Sequence, residues 1–127
     1  MGTRNVESFV EAGRTLFSLG LIKASEGNLS TWDGDELVIT RTGCELASLG
    51  PSDVLLGTLD DPPHQASSDL TVHLAYYRQR GPGAVAHAHP PGTVPEGAPE
   101  AGVHGAYAFA ESLTAAVGQI VEGARAE

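Results

Sequence analysis

Two histidines one residue apart, His87 and His89, lie in the alanine-rich segment Ala84-Val85-Ala86-His87-Ala88-His89. In a strand, side chains at i and i+2 share a face, with Cα atoms about 6.6 Å apart at a rise of about 3.3 Å per residue. Two imidazoles so placed can reach one metal ion at about 2.0–2.1 Å per bond. The same spacing also fits two polar residues on a solvated strand face, and spacing alone does not separate the two. His104, at the start of a further predicted strand, is a candidate third ligand. His64 in a polar loop and His73 on a predicted helix face read as structural. Gly27-Asn28-Leu29-Ser30 and Thr42-Gly43 are glycine-bearing turns whose backbone N–H groups can cradle a phosphate without cationic side chains. Ser67-Ser68 would add hydroxyls at a helix start, a second anion-binding arrangement. Asp69 follows directly and can serve as proton acceptor, metal ligand or first-turn helix acid.

The elements that must position these residues are legible from apolar spacing. Val6, Phe9, Val10, Gly13, Leu16 and Phe17 repeat at helical intervals, with Gly20 as a stop. Leu29 to Trp32 and Glu36 to Thr40 read as strands joined by an Asp33-Gly34 hairpin turn. Val54 to Leu56 reads as a short buried strand. A helix from about Asp69 to Gln79, capped by Ser67 or Ser68, presents Leu70, His73, Leu74 and Tyr77. Ala84 to His89 has strand character, weakened by its alanines. Pro90 to Pro99 is a loop, Val103 to Phe109 a last strand and Glu111 to Ala124 a last helix. The mixture predicts an α/β (α+β layered) fold, formed as one domain over residues 1–127.

Composition narrows the function. The 127 residues carry 16 acidic against 7 basic side chains, a net charge of −9, with no basic stripe for nucleic-acid phosphates. No apolar run approaches the roughly 20 residues that span a bilayer, and Met1 to Val10 lacks a signal-peptide core. Cys44 stands alone, which excludes an internal disulfide and a Cys-rich zinc module. The expected location is the cytoplasm. Trp32 and Phe109 read as packing residues, and Cys44 as a reduced structural thiol.

The order of the motifs adds more than any one of them. Gly27-Asn28-Leu29-Ser30, Ile39-Thr40-Arg41-Thr42-Gly43, Ser67-Ser68-Asp69 with His73, and Ala84 to Pro90 together resemble the class II aldolase/adducin-like family, across about residues 6–90. Val103-His104-Gly105, Tyr107-Ala108-Phe109 and the following helix resemble that family's final ligand strand and helix. The resemblance implies a central, mostly antiparallel sheet flanked by helices. It implies one zinc ion per subunit on His87, His89 and His104, and a substrate phosphate held by Gly27, Asn28, Thr42, Gly43, Ser67 and Ser68. It implies Asp69 as the catalytic carboxylate in cleavage or formation of a carbon–carbon bond in a small phosphorylated ketose, through a zinc-stabilised enediolate. A homotetramer, and no nucleic-acid or membrane partner, is expected. Two features depart from the pattern. Asp69 stands where the aldolases usually carry Glu and the ribulose-phosphate epimerases Asp, which makes it a ligand in the alternative reading, with epimerase or dehydratase chemistry. Only residues 90–103 separate His89 from His104, a shortened loop at about 90–102 that reduces enclosure of the site. A non-catalytic metal- or sugar-phosphate-binding member is the further alternative.

Overall fold

Side-chain alternation in five short strands organises the molecule, a computed structural model that describes residues 6–23, 25–67, 69–89 and 106–125. The strands are β1 (Asn28–Trp32), β2 (Leu37–Thr40), β3 (Val54–Gly57), β4 (Gly83–Ala88) and β5 (Ala106–Ala110). They form one sheet in the order β3-β2-β1-β4-β5, antiparallel at every pairing. The helices are α1 (Val6–Ser18), α2 (Leu70–Arg80) and α3 (Leu113–Arg125).

Both faces of the sheet are apolar and both are covered. Leu29, Val38, Ala84, Ala86, Ala88 and Ala108 pack with Phe9, Ala12 and Leu16 of α1 and with Leu113, Ala116, Val117 and Ile120 of α3. On the opposite face Leu37, Ile39 and Val85 pack with Leu70, Leu74 and Tyr77 of α2, joined by Trp32, Tyr107 and Phe109. This is the layered α/β arrangement expected from the sequence. The alanines of β4, poor strand formers by propensity, are explained by packing: Ala84, Ala86 and Ala88 are wholly buried in the cluster that α3 shares. Gly13 serves a similar end in α1. A Cβ there would lie 2.0 Å from the Leu46 carbonyl oxygen, so only glycine lets the helix rest on the 3₁₀ turn Leu46–Ser48.

Local chemistry fixes the connections. In the β1–β2 hairpin the Asp33 carboxylate accepts the N–H groups of Asp35 and Glu36 at 2.9 and 2.7 Å, and Gly34 takes φ +101°. The start of α2 differs from expectation. Its N-cap residue is Asp69, and Asp69 makes no side-chain capping bond. Ser67 Oγ instead accepts the Asp69 N–H at 3.2 Å, while Ser68 lies outside the described residues. The physical reason is that the Asp69 carboxylate is engaged elsewhere, as described below. The strand expected to reach His89 ends at Ala88, and the His89 N–H donates to the Leu21 carbonyl at 2.8 Å. The last strand is described from Ala106, because residues 103–105 lie outside the described set. Among the described residues, no helix is long and apolar enough to cross a membrane.

Candidate active site

Register across three strands sets Asn28, His87 and Tyr107 in one row. Asn28 pairs with His87 between β1 and β4, and His87 pairs with Tyr107 between β4 and β5. Helix α2 stands over this row and brings Asp69 at its first end and His73 one turn later. The Asp69 Oδ2 accepts the Asn28 side-chain N–H at 2.7 Å and lies 3.0 Å from His87 Nδ1. Asn28 Nδ2 is also 3.3 Å from His87 Nδ1, so three side chains meet at one point. Behind them His73 Nε2 bonds to Asn28 Oδ1, and His73 Nδ1 is 2.6 Å from Ser30 Oγ. Ser30 Oγ in turn is 2.7 Å from the Tyr77 hydroxyl. Tyr107 lies flat against His87, with ring centroids 3.9 Å apart and planes 4° from parallel.

Burial and hydrogen bonding set the charges. Burial by itself would raise the Asp69 carboxyl, but the Asn28 N–H bond and the adjoining His87 outweigh it and hold the group below the ordinary carboxylate range. His73 is wholly enclosed, and that burial, with His87 nearby, lowers its pKa to about 3. It is therefore a neutral imidazole near pH 7. Burial also pushes both tyrosine hydroxyls up. For Tyr107 the neighbouring Asp69 carboxylate adds to the effect, whereas for Tyr77 the Ser30 hydroxyl partly offsets it.

The metal expectation has a geometric test. With Zn–N bonds of about 2.0–2.1 Å and a near-tetrahedral angle, two imidazole centroids on one zinc ion stand about 5 Å apart. The His87 and His89 centroids are 4.8 Å apart, a separation of that size. Asp69 against Nδ1 fixes the His87 ring, as carboxylates behind metal-binding histidines do. His104 lies outside the described residues, and among the described residues no group of three metal-ligating side chains assembles.

The fold gathers the glycine-bearing turns beside this cluster. The Leu29 N–H donates to Thr40 Oγ1 at 3.2 Å, the Ser67 N–H to the Thr40 carbonyl at 3.0 Å and the Thr42 N–H to the Gln65 carbonyl at 2.8 Å. Segments 27–29, 40–43 and 65–67 are thereby joined, with Arg41 anchored by an ion pair to Asp53. Thr42 and Gly43 are exposed, and Ser67 is buried. Gly27 has φ +83°, and a Cβ there would lie 2.8 Å from the His87 carbonyl oxygen, so the turn and the histidine strand need glycine at this position. Asn28 is only 5% exposed, and its side chain is committed to Asp69 and His73. His64 is exposed, away from burial of any kind.

Sequence reasoning named Ser30, Tyr77 and Tyr107 within their motifs but gave them no individual role, and it read His73 as structural. A signal was present. Residues 69, 73 and 77 form a polar stripe at helical spacing, and 28 and 30 a polar pair at strand spacing. Two polar stripes facing inward need each other, because buried polar groups must be hydrogen-bonded.

Comparison with known proteins bears on the family and the fold. A family model described as "Class II Aldolase and Adducin N-terminal domain" matches residues 7–95. A 5-deoxy-D-ribulose 1-phosphate aldolase from Bacillus thuringiensis is 34% identical over 92 residues, covering 67% of this chain and 43% of the relative. A methylthioribulose-1-phosphate dehydratase from Bradyrhizobium is 33% identical over 87 residues, covering 66% of this chain and 40% of the relative. The crystal structure of an L-fuculose-1-phosphate aldolase from Thermus thermophilus superposes with a TM-score of 0.64 at 39% identity, covering 72% of this chain and 49% of that one. The chain thus spans less than half the length of each of these three proteins. Fold, motif order and family match converge: the chain belongs to the class II aldolase and adducin N-terminal domain family.

Proposed function

We propose that this chain is a metal-dependent, aldolase-like enzyme that cleaves or forms a carbon–carbon bond in a small phosphorylated ketose. The observation that carries the reading is the meeting of Asp69 with His87, 3.0 Å apart, where His87 and His89 pair closely enough to share one ion. The family generally depends on a divalent metal, and zinc suits the imidazole donors. His87, His89 and His104 would hold it. Bound zinc would supply Lewis-acid polarisation of the ketose oxygens. Gly27, Asn28, Thr42, Gly43, Ser67 and Ser68 would bind the phosphate, with backbone N–H groups and hydroxyls doing the work of absent cationic side chains. Asn28 and His87 both engage Oδ2 of Asp69, and the Tyr107 hydroxyl also bonds to this carboxylate, so three groups orient the side chain that would take or return the substrate proton. Ring stacking of Tyr107 on His87 keeps water from one side of that imidazole. We further propose that residues 1–127 act as one domain, in a cytoplasmic homotetramer whose neighbouring subunits complete the enclosure.

The short Asp69 side chain favours a second reading, epimerase or dehydratase chemistry on a similar sugar phosphate. A retro-aldol assay with fuculose-, rhamnulose- and ribulose-phosphates, run beside metal analysis of the purified protein, separates the two. Aldehyde release that vanishes on chelation supports the aldolase. Zinc-loaded protein that releases no aldehyde but converts one of these sugars to an epimer or dehydrated product supports the second reading, and loaded protein inert to all refutes both.

A further inference from the structure

The hydrogen bonds beneath the site form a single line whose direction can be deduced. It runs from Tyr77 through Ser30, His73 and Asn28 to Asp69. Ser30 and His73 are wholly buried, Tyr77 is 1% and Asn28 5% exposed, and only the Asp69 carboxylate at the end of the line reaches solvent. An Asn amide has two ends, and one of them sits 2.7 Å from a carboxylate oxygen. The carbonyl end there would set oxygen against oxygen, so the NH₂ end faces Asp69 and Oδ1 faces His73. A carbonyl oxygen only accepts, which places a hydrogen on His73 Nε2. A neutral imidazole has one such hydrogen, so Nδ1 accepts and the Ser30 hydroxyl donates to it. With its hydrogen spent, Ser30 Oγ accepts from the Tyr77 hydroxyl. Every donor in the line therefore points toward Asp69.

We propose that His73 is a positioning residue: held as the neutral Nε2–H tautomer between Ser30 and Asn28, it locks the Asn28 amide so that its NH₂ end alone can meet Asp69. Flipping that amide would cost two bonds at once, one to His73 and one to Asp69. The Asp69 carboxylate is thereby kept beside His87. The part that concerns turnover rests on the function proposed above, whereas the lock itself does not.

Two measurements test the proposal separately from that function. Long-range ¹H–¹⁵N spectra of the metal-free full chain report the imidazole tautomers, with the His73 signals assigned by their loss in His73→Gln. The expected result is one species, protonated at Nε2 and bare at Nδ1, unchanged across the neutral pH range. An Nδ1–H tautomer, a mixture or an imidazolium would overturn the lock. The second measurement is zinc affinity by competition with a chelating dye. His73→Gln keeps a donor and an acceptor, and it is expected to stay within about threefold of the parent. His73→Leu has neither and should bind about 10- to 100-fold more weakly, the usual effect of losing an outer-shell partner. Equal affinities in the two variants, both folded by circular dichroism, would overturn the positioning role. A parent chain that shows the expected tautomer but no aldol turnover would sink the proposed function and leave the lock standing.

Discussion

Acid charges an exposed histidine at little cost, but His73 is wholly buried. It is enclosed by Asn28 and Ser30 of β1, His87 of β4, and Asp69 and Tyr77 of its own helix, and of these only Asp69 favours the charged form. Its pKa falls from 6.5 in the open chain to about 3 in the fold. The folded state thus binds fewer protons than the unfolded one below the higher value, and stability must rise with pH there. Read downward, stability is intact above about pH 6.5 and is lost at about 1.4 kcal/mol per pH unit as the pH drops toward 3. By about pH 5 the loss from this one residue is about 2 kcal/mol, near 8 °C in melting temperature for a domain of this size. Urea unfolding at a series of pH values measures it, with His73→Gln as reference because glutamine does not titrate. The variant is expected to start less stable at neutral pH and to show a shallower slope, by about one proton, between pH 6.5 and 4.5. Parallel slopes for the two proteins would refute the assignment of a buried, neutral His73.

Other substitutions address other parts of the structure. Gly27→Ala combines a positive φ with a Cβ 2.8 Å from the His87 carbonyl oxygen, and it should destabilise by about 2 kcal/mol or more in urea unfolding. Tyr107→Phe keeps the ring stacked on His87 but loses the hydroxyl's bond to Asp69 and should cost about 1 kcal/mol, whereas Tyr107→Ala should cost about 3 kcal/mol, both read by thermal melts. His87→Ala and His89→Ala should each lower zinc retention at least tenfold by elemental analysis, with His89→Ala the milder in stability because its ring is the more exposed. Asp69→Asn should abolish aldol turnover while keeping the fold, measured by aldehyde release and circular dichroism.

Much of the architecture was legible because its period was clean. Phe9, Gly13 and Leu16 were readable as one helix face, and Asp33-Gly34 as a hairpin, since both signals are local. The site was legible only as ordered motifs. No local rule reveals that Asn28 lies opposite His87, because strand register is a long-range property set 59 residues apart. The structural reading of His73 holds, since the residue is wholly buried, but its partners were hidden for the same reason. On its helix it looks like an ordinary inward residue, and its partners arrive from β1. The cap of α2 was misplaced because Asp69 had a stronger competing use for its carboxylate than the helix N–H groups could offer.

Strand pairing ties the chemistry of this protein to odd and even counting. Asn28, His87 and Tyr107 lie side by side because they are paired residues on three consecutive strands, and their chain neighbours Leu29, Ala86, Ala88 and Ala108 point the other way into the greasy layer beneath α1 and α3. A duplication of one residue within β4 would therefore carry an imidazole into that oily layer, while a duplication of two would carry it back. Changes in the length of the stretch joining β4 to β5 leave this parity untouched. A slip within a strand, by contrast, exchanges the two faces of the sheet.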